Sequence, residues 1–116
     1  PVILHSPDAV RTEFFSKDIA PDLLMRHYQR MGRESFLIFF DMLILGLPRP
    51  SRVKAPVLVV AGEDDTLFAP WEEARLARAY NGKYHVISGM AHDLMLEKDW
   101  QQVAQLIIEW AQALPA

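Results

Sequence analysis

The chain contains no cysteine, which excludes disulfide bridges, thiolate nucleophiles and cysteine-ligated zinc. Long apolar runs are also missing. The most apolar stretch, Phe36 to Leu47, is broken by Asp41 and is much shorter than the roughly 20 residues that span a bilayer. The first residues lack the basic stretch and apolar core of a secretory signal. We therefore expect a cytoplasmic protein with no membrane partner.

Positive charge is scarce. Lys and Arg number 12 against 15 Asp and Glu, which gives a net charge of −3, and no basic cluster stands out along the chain. Because nucleic acids are bound through concentrated positive charge, we expect no nucleic-acid partner. The sequence also has no His-x-x-x-His or Glu-x-x-His spacing, so we predict no metal site and no cofactor.

The first part of the chain, residues 1–50, has helical signals. Ser6 followed by Pro7 is typical of a helix start, and Pro21 followed by Asp22 predicts a second helix that ends near Gly32. A third helix is predicted over residues 34–45, because its apolar residues recur at helical spacing. Prolines and polar residues then predict a linker before the next segment.

The second part, residues 51–116, alternates strand and helix signals. The apolar, β-branched run Val57–Ala61 predicts a buried parallel strand, and Tyr84–Ile87 predicts a second strand. Helices are predicted from Pro70 to about Tyr80 and from about Asp99 to Leu114. The order β-α-β-α predicts an α/β fold with adjacent parallel strands, whose carboxyl-end loops are the usual place for ligands.

Those two loops carry the candidate chemistry. Asp65 lies three residues after Gly62 in the first loop, and His92 lies three residues after Gly89 in the second. Adjacent parallel strands bring such loops together. A carboxylate beside an imidazole fixes the tautomer of the ring and stabilises its protonated form, so the other ring nitrogen can act as a general base and then as a general acid.

The segment from Pro56 to Asp65, followed by Gly89-Met90-Ala91-His92, resembles the last two strand-loop units of α/β-hydrolases. The resemblance covers about residues 53–114. It implies that Asp65 is the acid and His92 the base of a Ser-His-Asp triad. Asp64 is a weaker alternative acid, since it is one position short of the usual Gly-x-x-Asp spacing.

The nucleophile that this resemblance requires is missing. The family carries its serine in a Gly-x-Ser-x-Gly turn between an earlier strand and helix. No such turn surrounds any serine of this chain, at positions 6, 16, 35, 51 and 88. We therefore expect the C-terminal part of an α/β-hydrolase sheet, inactive alone, whose partner is the missing N-terminal half or a second copy of the chain.

The helical segment 1–50 resembles the cap that many α/β-hydrolases insert over the active site. That resemblance implies an apolar pocket for a small acyl substrate, lined by Phe36, Phe39, Phe40 and Met42, although core packing is the more common role of such a stripe. Phe68 and Met90 lie beside the candidate acid and base in the sequence, and we expect one of them to touch substrate.

Our leading hypothesis is a serine hydrolase, or esterase, acting on an ester or similar acyl bond. One alternative is a non-catalytic interaction module that keeps only the C-terminal part of the fold. Another is a haloperoxidase-like or dehalogenase-like member of the same superfamily. Single residues also have structural explanations. Asp65 could serve only the start of the helix at Pro70, and the three tryptophans are most simply core anchors, namely Trp71, Trp100 and Trp110.

Overall fold

The computed structural model describes residues 6–32 and 48–115. These residues form four helices, two strands and two short 3-10 turns in this order: α1 (Pro7–Phe14), α2 (Pro21–Tyr28), Pro50–Arg52, β1 (Leu58–Gly62), α3 (Pro70–Ala79), β2 (Lys83–Ile87), Leu94–Leu96 and α4 (Trp100–Gln112). The predicted helix over residues 34–45 and the predicted pocket residues Phe36, Phe39, Phe40 and Met42 lie outside the described ranges. None of the described helices is long and apolar enough to cross a membrane.

The two strands pair in parallel, with α3 as the crossover between them. Their register runs from Leu58 opposite Lys83 to Gly62 opposite Ile87. This pairing confirms the predicted β-α-β order and the α/β class. Within the described residues the sheet has two strands, so its place in a larger hydrolase sheet stays a prediction.

The helix boundaries follow the local signals closely at the amino ends. Ser6 Oγ accepts a hydrogen bond of 3.2 Å from the Ala9 amide and begins α1, as predicted. The α2 helix begins at Pro21 as predicted but ends at Tyr28, before Gly32, because the next amides bond in tighter turns. Asn81 adopts a left-handed conformation (φ 51°) just after α3.

Buried apolar residues form two separate clusters. One joins α1, α2 and the segment between them, and consists of Val10, Phe15, Ile19 and Leu24. The other lies between the sheet and α4, and consists of Met90, Leu94 and Val103 with the half-buried Val60 and Ile87. Each half of the chain therefore contributes its own small core.

Strand β2 and α4 are largely open to solvent, whereas β1 is buried at Ala61 and Gly62 and half-buried at residues 58–60, so its predicted burial on both faces is met in part. On α4 only Val103 is buried, whereas Trp100 and Ile107 are exposed. Trp71 is 59% exposed, so the prediction that Trp71 and Trp100 are core anchors is wrong for this structure. For Trp100 the reason is geometric, because the two described strands are too narrow to cover the 13 residues of α4.

Candidate active site

Asp65 is held rigidly in the loop that follows β1. Its Oδ1 atom accepts hydrogen bonds from the Leu67 and Phe68 amides at 2.8 and 3.0 Å. These bonds turn the chain towards α3, so Asp65 does help to begin that helix region. The side chain is only 3% exposed. One carboxylate oxygen is therefore fixed by the backbone, and the other is left to face outward from this turn.

The free oxygen faces His92. Asp65 Oδ2 lies 2.9 Å from His92 Nδ1, across 27 residues of sequence. Because an ionised carboxylate only accepts hydrogen bonds, Nδ1 carries the proton in this pair and donates it. Nε2 then keeps its lone pair. The imidazole side chain is 27% exposed, so the pair is partly shielded but remains open to another molecule.

Gly62 allows the two loops to approach each other. A Cβ atom at this position would lie 2.3 Å from the Ala91 carbonyl oxygen and 2.5 Å from that of Met90. The loops are also joined by a backbone hydrogen bond from the Asp64 amide to the Met90 carbonyl, at 2.9 Å. A side chain at position 62 would push apart the loops that carry the acid and the base.

The amino-terminal segment, residues 6–32, lies directly on the loop that carries His92. The Phe14 carbonyl accepts a 2.9 Å hydrogen bond from the Asp93 amide. The Phe14 ring contacts the imidazole edge-to-face, with centroids 5.7 Å apart. On another side, the Phe68 ring lies 5.4 Å from the same imidazole. Two aromatic rings therefore flank the candidate base and make its surroundings apolar.

The sequence-predicted residues are not all brought together. Asp65, His92 and Phe68 are adjacent, whereas the Asp64 side chain is exposed and has no hydrogen bond to the imidazole.

Met90 is 2% exposed and packs in the core with Leu94 and Val103, so it has almost no surface to offer a ligand. Of the two residues expected to touch substrate, Phe68 is therefore the better candidate, and its contact with substrate stays a prediction.

Two residues of this region were missed by sequence reasoning. Phe14 is the last residue of α1 and is not part of any motif in the sequence. Glu97 lies beyond the candidate histidine, and its carboxylate is buried against Ser16 and Ala91. The sequence has no distinct signal for Glu97, because it stands between an apolar run, residues 94–96, and the charged residues Lys98 and Asp99.

Two further acidic groups lie in the electrostatic field of the pair. Burial raises the pKa of Glu73 above its ordinary value, and the negative charge of Asp65 adds to this effect. Burial likewise raises the pKa of Asp93, opposed mainly by His92. The Oε2 atom of Glu73 is buried with no hydrogen-bond partner among the described residues.

These carboxylates do not form a metal site. Within residues 6–32 and 48–115, no group of three or more His, Asp or Glu side chains is arranged to hold an ion. The chemistry that the region supports is proton transfer through one imidazole oriented by one carboxylate.

No match to this chain was found among protein-family models, curated proteins or solved structures. The function is therefore argued from the geometry of the site.

Proposed function

We propose that this chain is the C-terminal part of an α/β-hydrolase that acts on an ester or similar acyl bond, with Asp65 as the triad acid and His92 as the base. The observation that carries the proposal is the 2.9 Å contact between Asp65 Oδ2 and His92 Nδ1. Both residues follow the carboxyl ends of neighbouring parallel strands, and the acid precedes the histidine in the chain.

The proposed chemistry uses the free nitrogen of the imidazole. His92 Nε2 takes the proton of a serine hydroxyl as that oxygen attacks the acyl carbon, and later gives the proton to the leaving group. Asp65 stabilises the imidazolium that exists between these steps. No cofactor takes part. Because the ring is flanked by Phe14 and Phe68, an apolar acyl group fits the surroundings best.

The proposal places the nucleophilic serine on another polypeptide segment. Within the described ranges no serine hydroxyl forms a hydrogen bond with His92: Ser16 bonds to Glu97, and Ser88 bonds to Glu63. The proposal assigns the nucleophile to an N-terminal half of the enzyme or to a second copy that completes the sheet. Residues 6–32 fit a cap role, since they lie on the loops that carry the acid and the base.

The variant Asp65→Asn tests the proposed role of Asp65 as the triad acid. Its single oxygen can continue to accept from the Leu67 and Phe68 amides, which turns its NH₂ group towards His92 Nδ1. The proton then moves to Nε2, which can no longer act as a base. In the native protein that contains these residues, we expect Asp65→Asn to lower kcat for a p-nitrophenyl ester by about 10⁴-fold.

Two neighbours provide matched controls. Asp64→Asn makes the same chemical change on an exposed carboxylate, and His85→Ala removes an exposed imidazole from β2, whereas His92→Ala removes the base. We expect His92→Ala to abolish turnover and both controls to keep it. Equal rates in His92→Ala and His85→Ala would refute the proposed function.

An interaction module is the second candidate, and the exposed apolar residues favour it. Val86 on β2 is 44% exposed, and Ile107 and Ile108 on α4 are similarly open. Such a surface fits a binding partner. If the native protein binds a partner through this surface but hydrolyses no ester, the module is the correct function. A haloperoxidase-like or dehalogenase-like enzyme would use the same pair with a different nucleophile.

A further inference from the structure

Glu97 is the most deeply buried ionisable residue of the candidate site, at 2% exposure. Its Oε1 atom accepts hydrogen bonds from the Ser16 amide at 2.6 Å and from the Ala91 amide at 3.3 Å. Its Oε2 atom lies 2.7 Å from the Ser16 hydroxyl, which shares its single proton between Glu97 and Asp18 Oδ1 at 2.9 Å. One carboxylate thus joins a residue of the amino-terminal segment to the residue immediately before His92.

A buried carboxylate is costly unless hydrogen bonds or a cation compensate for lost hydration. Among the described residues Glu97 takes part in no salt bridge, and the adjacent Lys98 bonds to Asp18 instead. The three donors from Ser16 and Ala91 are therefore its whole compensation in the described parts of the chain. The hydrogen bonds of Glu97 therefore depend on the position of Ser16, which lies 81 residues earlier in the sequence.

The same two segments meet again at the candidate base. Two residues before Ser16, the Phe14 carbonyl accepts from the Asp93 amide, and the Phe14 ring lies on the His92 imidazole. The backbone around His92 is thus held on both sides, through Ala91 by Glu97 and through Asp93 by Phe14. A shift of Ser16 away from Glu97 would carry Phe14 with it.

We propose that Glu97 is a positioning residue for His92, which orients the imidazole by holding the Ala91 amide and, through Ser16, the Phe14 ring. Glu97 touches no reacting atom. Its importance for turnover rests on the proposed hydrolase function, whereas its effect on the geometry of the imidazole does not. The inference adds a requirement to that function: the acid and the base need the amino-terminal segment in place.

The geometric part is tested by NMR on the full chain labelled with ¹³C and ¹⁵N. The ring protons of His92 sense the nearby Phe14 and Phe68 rings, so their chemical shifts report its placement. The variants are Ser16→Ala, which removes one hydroxyl, and Glu97→Gln, which keeps one oxygen acceptor. Glu109→Gln is the control, since it makes the same carboxyl-to-amide change on the exposed face of α4.

We expect both variants to shift the His92 ring signals and Glu109→Gln to leave them unchanged. Exchange of the Ala91 and Asp93 amides with deuterated water should become about tenfold faster, as expected for the loss of one hydrogen bond. Glu97→Ala should have the larger effect, but it leaves several buried donors without a partner. If that variant does not fold, Ser16→Ala and Glu97→Gln still decide the matter.

Unchanged His92 signals in both Ser16→Ala and Glu97→Gln would overturn the proposal. The turnover part is tested in the native protein, where we expect Ser16→Ala to lower kcat for a p-nitrophenyl ester with little change in KM. If the ring signals shift but the unmodified protein hydrolyses no ester, the hydrolase function fails and the positioning role stands. If the protein is active and Ser16→Ala keeps full kcat, the positioning role fails for catalysis.

Discussion

The carboxyl ends of the two strands differ sharply from the outer surfaces of the sheet and α4. At the strand ends, polar side chains are buried and well bonded: Asp65 accepts from two amides and the imidazole, and Glu97 accepts from three donors. On the outer surfaces, apolar residues such as Val86 and Ile108 are exposed. The acid, the base and Glu97 are well bonded, whereas the described residues leave much of the sheet and α4 without cover. This contrast is expected if another polypeptide segment covers the sheet.

The largest predicted effect on stability comes from Gly62→Ala, which disturbs the close approach of the two loops that carry Asp65 and His92. The new methyl group would overlap the Ala91 and Met90 carbonyl oxygens, so the two loops must separate. We expect the free energy of unfolding to fall by about 3 kcal/mol or more. Urea unfolding followed by tryptophan fluorescence measures this change.

Two other glycines serve as controls for Gly62. Gly89 has a left-handed backbone (φ 69°) but free space around a new Cβ, so Gly89→Ala should cost about 1 kcal/mol. Gly32 has neither restriction, and Gly32→Ala should leave stability nearly unchanged. A Gly62→Ala variant as stable as Gly32→Ala would show that the loops are not in close contact.

A pair of α4 variants tests the contrast between covered and uncovered surfaces. Val103 is buried against the sheet, so Val103→Ala should lower the free energy of unfolding by about 2 kcal/mol. Ile108 is 49% exposed, and Ile108→Ala should change it by less than about 0.5 kcal/mol. Equal losses, measured by urea unfolding of the isolated chain, would mean that the outer surface of α4 is already covered.

Glu73 gives a smaller effect that depends on pH. Its pKa is raised in the folded protein, so the folded state binds a proton more tightly than the unfolded state does. Stability therefore falls as the pH rises from the ordinary pKa of 4.5 through the raised value. Glu73→Met removes the buried, unpartnered oxygen, and we expect a gain of about 1 kcal/mol at pH 7.

Thermal unfolding at pH 4 and pH 7 measures this difference. The gain from Glu73→Met should be smaller at pH 4, where the wild-type carboxyl group is largely protonated. Glu109→Gln is the control, since its side chain is exposed and should have no such effect. A gain of equal size at both pH values would contradict the assigned cause.

The smallest effect is expected from the salt bridge between Asp18 and Lys98. Hydrogen bonding to Lys98 lowers the pKa of Asp18, but both side chains are more than half exposed. Solvent and salt screen such pairs. Lys98→Gln should leave the melting temperature almost unchanged at 150 mM NaCl, even though Lys98 adjoins Glu97. A large loss of stability would mean that this bridge, rather than Glu97, holds the amino-terminal segment.

Local signals in the sequence were enough to predict the elements that position the site. Proline at the first turn predicted the starts of α1, α2 and α3, and the β-branched run predicted β1 to within one residue. The adjacency of Asp65 and His92 followed from the parallel order of the strands. These features could be predicted because each depends on nearby residues or on a general rule of topology.

Other features depend on contacts between distant segments and could not be predicted. No spacing rule links Glu97 to Ser16, and nothing in the sequence placed Phe14 on the imidazole. Trp71 and Trp100 were predicted to be core anchors but are exposed, because the sequence shows which side chains would gain from burial and not whether another segment buries them. Met90 was predicted at the site by sequence proximity, but its side chain lies in the core.

The hydrogen bond between His92 and Asp65 is the centre of this account, and NMR of the imidazole N–H protons tests it most directly. The account predicts a downfield proton signal on His92 Nδ1 that exchanges slowly with water, disappears in Asp65→Asn and persists in Asp64→Asn. Absence of that signal from the wild-type chain, or its persistence in Asp65→Asn, would contradict the account.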